Sequence, residues 1–434
     1  MRKHSLAALF LLVAACGEGT SRPVRQATQQ PVATNTGALG VVAVGKTLKA
    51  YIPGGTDANG HYQLVVVDAA RAGNATSGYL GAVDLGTADG DAEAVSAVDG
   101  VVIAISFGTP NLWLIDPVTD MVTEHMKLPD GFGSWDVSNR NAFMSGVAID
   151  PVRRRAYVSV WSGFIVLDLD TQQFIDSILV APSENFAFDP QRNRLIAPFY
   201  LCPDPGAGTS PPPPCASYLA PDGVTVITQG INVVDLQTSS IYTYVDPTAA
   251  DQSMPAGDSP DAAAMDPVGG FALVPVEIPS EVLMLDLATA TFNPNGTFTA
   301  STIRLAVPPE TTGVAIEPGS RLGIGSQEAD ARVVFYDLNS ITADGEPPQA
   351  ILPDLPWGAG PWLGHSDPHN IRAGVIDGKP VAWLLSHSNS WLARIDLEKL
   401  KQLVEATPAA IRPIVIGQAD MATATTYIFV GPTP

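Results

Sequence analysis

The nearest approach to a metal-binding pair is His365-Ser366-Asp367-Pro368-His369. Imidazole nitrogens suit zinc, but Pro368 forbids the helical turn that would aim both rings at one ion. Held on separate loops the rings could converge, so a divalent metal (Zn or Ca) stays open, and no cofactor is expected. Asp89-Gly90-Asp91-Ala92-Glu93 puts three carboxylates in five residues. It lacks the full ligand spacing of a calcium loop, and a solvated acidic turn is the simpler reading. No GxSxG elbow, HExxH, P-loop, CxxCH or EF-hand loop occurs. Catalytic residues therefore stay unassigned, and the chain reads more as a binding protein than as an enzyme.

What positions such residues is legible in Gly146–Val180, GVAIDPVRRRAYVSVWSGFIVLDLDTQQFIDSILV. Val147–Ile149, Ala156–Val160, Phe164–Leu169 and Phe174–Val180 are apolar or alternating runs divided by turn residues, the pattern of a four-stranded antiparallel meander. One such sheet cannot bury both faces alone, so it must stack on copies of itself.

The copies are marked by an apolar run ending in Asp, at Asp68, Asp116, Asp168, Asp235, Asp286, Asp337 and Asp396, spaced 48, 52, 67, 51, 51 and 59 residues apart. A second mark, an apolar run closed by an acid and then Pro or Gly, precedes six of them, at Asp99, Asp150, Asp189, Asp266, Glu317 and Asp377. Val41–Gly45 is its weaker first copy. A period near 50 with four strands per unit predicts an all-β, seven-bladed β-propeller over 38–434, four antiparallel strands per blade. The unit AIDPVRRRAYVSV…IVLDLDT resembles that of YVTN-type and NHL-like seven-bladed propellers, a likeness covering about Ala38–Gly417. The repeated aspartates most simply accept backbone hydrogen bonds in the turns after their strands. Leu397–Thr407 predicts a short helix, Ala410–Gly417 the outer strand of the seventh unit, and Tyr427–Val430 a strand that pairs with the first blade.

Met1–Cys16 has a basic start and a short apolar core, the pattern of a secretory signal. Val13-Ala14-Ala15-Cys16 resembles a bacterial lipobox, which implies lipidation of Cys16 and an exported protein held at the cell envelope, outer membrane or periplasmic face. Residues 17–37 are polar and rich in Gln, Thr and Pro, a flexible tether. The other cysteines, Cys202 and Cys215, lie in an insertion of the fourth unit, Leu201–Thr225. In an exported protein they should form a disulfide, worth ~3 kcal/mol in the chain-entropy view. The net charge of -21 excludes nucleic acid as a partner.

In such a meander the connections after the second and fourth strands open on one side. That side receives Trp135, Trp161, Trp357, Trp362 and Trp391, with His61, His365, His369 and His387 and the cysteine insertion, whereas Trp113, Trp383 and His125 fall in strands. The tryptophans either pack as lids under long loops or meet a ligand. Glu93, Glu184, Asn185, Asp261, Glu310 and His369 should stand at the entries to the innermost strands and ring the channel mouth. Such a ring resembles the metal site of six-bladed propeller lactonases and implies a hydrolase as the alternative to a scaffold. A small molecule, a peptide or an envelope protein is the expected partner.

Overall fold

The computed structural model describes residues 39–429 apart from 58, 72–75, 88–91, 99, 107–108, 129–143, 161–162, 200–228, 247–259, 261, 277–279, 308–310, 328–331, 342–344, 353–370, 387–390, 408–413 and 417. Strand is the dominant regular structure of the described chain. Gly40–Val44 (β1), Thr47–Thr56 (β2), Tyr62–Asp68 (β3), the two-residue strand Thr76–Ser77 (β4) and Tyr79–Gly86 (β5) come first, and β1-β2-β3-β5 make one antiparallel sheet. Ala92–Val98 (β6), Val101–Ser106 (β7), Asn111–Asp116 (β8) and Met121–Lys127 (β9) make the second. Met144–Asp150 (β10), Arg155–Val160 (β11), Gly163–Asp168 (β12) and Gln173–Leu179 (β13) make the third, within a residue or two of the expected runs at most of their ends.

Ala187–Asp189 (β14), Arg194–Phe199 (β15), Gly230–Asp235 (β16) and Ser240–Tyr244 (β17) form a fourth meander. Ala264–Asp266 (β18), Phe271–Val276 (β19), Glu281–Phe292 (β20) and Thr297–Ala306 (β21) form a fifth. Their outer strands β17 and β21 pair in parallel, so the two meanders share one eight-stranded sheet. Thr311–Glu317 (β22), Leu322–Gln327 (β23), Val333–Asp337 (β24) and Gln349–Leu352 (β25) follow. Ile371–Ile376 (β26), Lys379–Ser386 (β27) and Trp391–Asp396 (β28) come next, then a helix Leu397–Ala406 (α1), Ile414–Val415 (β29), a helix Gln418–Ala424 (α2) and Thr425–Phe429 (β30). The count of hydrogen-bonded sheets is therefore six, with four to eight strands each, instead of seven separate sheets.

Three expectations near the C-terminus change. The fourth strand of the last sheet is β30, which pairs antiparallel with β28 from Trp391↔Phe429 to Ile395↔Thr425. Ile414–Val415, inside the segment expected to fill that place, instead runs parallel to β25 of the preceding sheet. TTYIF offers five residues in register where IV offers two, and the longer ladder takes the edge. The backbone of the C-terminal strand pairs with the first unit at two residues, Ile428 and Phe429 against Thr76 and Ser77. The alanine-rich α2 joins α1 as a second helix.

The acid marks do what their chemistry suggests. Asp68, Asp116, Asp168, Asp235, Asp286 and Asp337 each accept a backbone N–H two residues on through Oδ1, and Asp396 caps α1 by accepting from the Lys399 N–H. Asp150, Asp189, Asp266 and Glu317 do the same in the turns between first and second strands. Four residues after each of these, Arg154, Asn193, Gly270 and Arg321 have φ between 50° and 79°, the left-handed residue that completes a tight turn.

The middle strands read as unbroken apolar runs because both faces are covered. In β7, Val102 and Ala104 pack toward the first sheet while Ile103 and Ile105 pack toward the third. Alternation at period two thus feeds two cores at once. Each described core lies between consecutive meanders, and one of them joins Ala50, Ile52 and Val67 of the first sheet to Trp383, Leu392 and Ile428 of the last. The stack closes on itself as a ring with no free end.

Candidate functional site

The two rims of the ring differ. On one rim lie the connections after the first and third strands, mostly tight turns. Polar bonds brace neighbouring units there. Lys49 Nζ reaches Asp120 Oδ2 at 2.6 Å and the Pro117 carbonyl at 2.9 Å. Arg192 donates to the Pro267 carbonyl at 3.2 Å, Arg321 Nε to Asp266 Oδ2 at 2.8 Å, and Lys401 pairs with Asp337 at 3.2 Å. The other rim receives the long connections 128–143, 200–229, 245–263 and 353–370, each of which leaves a second or fourth strand.

On that rim the innermost strands begin with buried polar side chains. Ser183 and Asn185 precede β14, with Glu184 half-buried between them, and Thr311 and Thr312 open β22. Second strands end near it in Ser106, Ser159 and Ser326, all buried. The Ser159 hydroxyl donates to the Ser183 carbonyl and so ties the entry of one inner strand to the neighbouring meander. These hydroxyls were missed in the sequence. Their signal was the Ser that ends or nearly ends the second strand in VVIAIS, RAYVSV and LGIGSQ.

Of the expected site residues, Glu184 and Asn185 stand where anticipated, at the entry to β14. Glu93, the second residue of β6, also stands at the entry to an innermost strand, whereas Trp391 is the first residue of β28, not a loop residue. Cys16, Cys202, Cys215, Trp161, Trp362, His365, His369, His387, Asp261 and Glu310 lie outside the described residues. Among the described residues no three His, Cys, Asp or Glu side chains gather in a metal-binding group. No described helix is long and apolar enough to cross a membrane.

His61, on the loop-rich rim, is held by Asp84 of β5, with Nδ1 2.9 Å from Oδ2. That contact raises the imidazole pKa and lowers the carboxyl pKa, each mainly through the shared hydrogen bond. Asp84 also lines a cleft of about 450 Å³ between β5 and β9, with Ala82, Trp113, Asp120, Met121 and His125. Trp113 Nε1 donates to the Leu85 carbonyl at 3.1 Å, and the exposed His125 ring stacks on the indole at 5.3 Å and 7°. Sequence reasoning put Trp113 and His125 in strands without seeing that they pair directly across β8 and β9.

No family model matches the chain, and no curated protein matches it. Solved structures with a similar path include the complex of KlAtg21 with the coiled-coil of AgAtg16, at 10% identity over 84% of this chain and 94% of that one, TM-score 0.47. Hsv2 of Kluyvelomyces marxianus matches at 8% identity over 85% and 93%, TM-score 0.47. The WD40 repeats of RRP9 match at 10% identity over 69% and 73%, TM-score 0.43. At such low identities and scores the architecture rests on strand order and core position, and by those the chain is an all-β, β-propeller repeat protein.

Proposed function

We propose that this chain is a seven-bladed propeller that serves as a binding scaffold, taking a peptide, an envelope protein or a small molecule on its loop-rich rim. The carrying observation is the division of labour between rims. The tight-turn rim places its charged side chains between neighbouring units and carries one comparably long connection, 397–424, whereas 128–143, 200–229, 245–263 and 353–370 leave from the other rim, above inner strands that open with buried hydroxyls and amides. Long loops on a rigid ring are where propellers can vary a binding surface without disturbing packing. Support for the blade count is that dividing the eight-stranded sheet at its parallel β17–β21 seam leaves seven meanders.

The scaffold reading includes export, lipid anchoring through Cys16 and a Cys202–Cys215 staple on the working rim. Support for these is the sequence of the first sixteen residues and the cysteine count. Mass spectrometry of membrane-fraction protein should find acylated Cys16 at the N-terminus, and non-reducing peptide mapping should recover the linked cysteines. A soluble product that begins elsewhere, or free thiols at both positions, overturns the respective part. For the rim itself, exchange of the 353–370 connection for a short Gly-Ser linker should abolish capture of the partner while the thermal transition stays. Partner capture that survives such exchanges of each long connection in turn would sink the proposal.

A further inference from the structure

The sequence holds two Asn-Gly pairs, Asn59-Gly60 between β2 and β3 and Asn295-Gly296 at the tip of the β20–β21 hairpin. Glycine has no Cβ, so its backbone nitrogen lies open to the side-chain amide of the residue before it. Both asparagines are exposed, and both glycines have positive φ, 79° at Gly60 and 82° at Gly296. Each glycine N–H donates to a carbonyl across its turn, Gly60 to Asp57 at 3.0 Å and Gly296 to Asn293 at 3.1 Å. The two pairs match in backbone and differ at the amide.

At Asn295 the donors are aimed at the oxygen. Oδ1 accepts the Thr297 N–H at 3.2 Å and stands 2.8 Å from Thr297 Oγ1. A backbone N–H can only donate, which fixes the atom facing it as the oxygen. The Thr297 hydroxyl has a single proton, and Asn293 Nδ2 donates to its oxygen at 3.1 Å, so that proton points at Asn295. Two donors on one carbonyl oxygen draw electrons from Cγ and are placed for an oxyanion there. At Asn59 the arrangement is reversed. Its Nδ2 donates to Asp57 Oδ2 at 3.3 Å, which holds the amide nitrogen beside a carboxylate, and no donor meets its Oδ1 among the described residues.

We propose that Asn295 is a site of spontaneous deamidation, promoted by the Thr297 donors. The Gly296 nitrogen loses its proton to solvent base and adds to Cγ of Asn295. Charge passes to Oδ1, where the Thr297 N–H and hydroxyl hold it. The Cγ–Nδ2 bond then breaks and ammonia leaves, taking its proton from water, which closes a succinimide ring. Water opens the ring at either carbonyl and returns aspartate or an isoaspartyl linkage. The sum is one water consumed and one ammonia released, with no oxidation or reduction.

The isoaspartyl product routes the main chain through the side chain and lengthens it by one carbon, within a turn that fastens two meanders. Thr243 donates to the Gly296 carbonyl at 2.8 Å and Val245 to the Phe298 carbonyl at 2.9 Å, which is the parallel β17–β21 seam. The modification therefore loosens the fourth meander from the fifth, and it is independent of the loop-rich rim.

The test incubates the purified protein in neutral buffer and follows the peptides containing Asn59 and Asn295 by mass spectrometry, with fragmentation that separates aspartyl from isoaspartyl. Acid should accumulate at position 295 about tenfold faster than at position 59, mainly as isoaspartyl. In urea the two rates should converge, because the difference belongs to the folded turns. Thr297→Val should slow position 295 several-fold and Thr297→Ser should restore it, with position 59 unchanged in both. Hydrogen exchange at Thr243 and Val245 should quicken in the isoaspartyl fraction and stay at the parent rate in Asn295→Asp. Equal rates at the two positions of the folded parent overturn the proposal without any variant. A Thr297→Val protein that deamidates as fast as the parent or faster overturns the role of the donors. Unchanged exchange at Thr243 in the isoaspartyl fraction overturns the loosening of the seam.

Discussion

The Nε of Arg372, on the innermost strand of the last sheet, donates to the carbonyl of Leu39 at 2.6 Å, across 333 residues of sequence. Its Nη2 reaches on to the Val95 carbonyl in the second sheet at 3.3 Å. One buried guanidinium thus ties three consecutive meanders at the place where the two chain ends meet. Burial weighs against its charge and lowers its pKa from the ordinary guanidinium value. Such a side chain is tolerated only because carbonyl dipoles face it.

Arg372→Ala should therefore cost about 3 kcal/mol, because two buried carbonyls lose their donor and a cavity opens at the seam. Urea denaturation measures the loss. Hydrogen exchange should locate it, with faster exchange of β1 and β26 amides than of β15 or β19. Uniform acceleration around the ring would mean that the seam is not the weak point Arg372 protects.

The two kinds of acid-marked turn, typified by Asp266 and Asp286, differ in burial and in the partners they hold. Asp266 is buried and accepts from the Val268 and Gly269 N–H groups and from Arg321 of the next meander. Asp286 accepts from Ala288 and Thr289 in an exposed turn. Asp266→Ala should destabilise by about 3 kcal/mol, since it strips a buried clasp and strands a guanidinium. Asp286→Ala should cost clearly less. Gly269→Ala provides an independent check. A Cβ there would stand 2.1 Å from Arg321 Nη2 and 2.3 Å from Asp266 Oδ2, so it should break the same clasp. Equal midpoints for Asp266→Ala and Asp286→Ala would refute the distinction.

Much of this architecture was legible because strands buried on both faces leave apolar runs, and because every turn needs an acceptor. Asp168 and Asp150 announce their turns by residue type and position alone. Bonds between units were not legible. Lys49 to Asp120, Arg321 to Asp266 and Arg372 to Leu39 join residues far apart in sequence whose neighbourhood exists only after the ring closes. The same holds for the β5–β9 cleft, where Asp84 and His125 come from different meanders. Ile414–Val415 shows the converse error. Its apolar character fits an edge strand, but a ladder of two residues cannot outcompete the five of β30.

The His61–Asp84 pair should be visible by NMR. The shared hydrogen bond and charge raise the imidazole pKa, so His61 should titrate above the ordinary histidine midpoint. Asp84→Asn should return it toward the ordinary value. Because the folded pKa is the higher one, the pair contributes most below the unfolded histidine pKa. Its contribution disappears as pH rises through the folded value. Both groups are exposed, so the chemical shift is the sensitive readout and global stability is not. A His61 midpoint that does not move in Asp84→Asn would remove the pair as a feature of the molecule in solution.

Closure of the ring can be tested at Ile428. Its side chain is 0% exposed and packs with Ala50, Ile52 and Val67 of the first sheet and with Trp383 and Leu392 of the last. Its backbone pairs with Leu392 on one side and Thr76 on the other. Deleting three carbons there opens a cavity in the described core between the first and last sheets, and Ile428→Ala should cost roughly 2–5 kcal/mol. Val415 lies in the two-residue strand that was the rival for the outer position, and it is 72% exposed. Val415→Ala should leave the midpoint within about 0.5 kcal/mol of the parent. If the ring instead closed through Ile414–Val415, the two effects would be reversed, because the buried partner of the seam would then lie on that strand and Ile428 would face solvent. Equilibrium unfolding of the two variants side by side decides between the arrangements without a further structure.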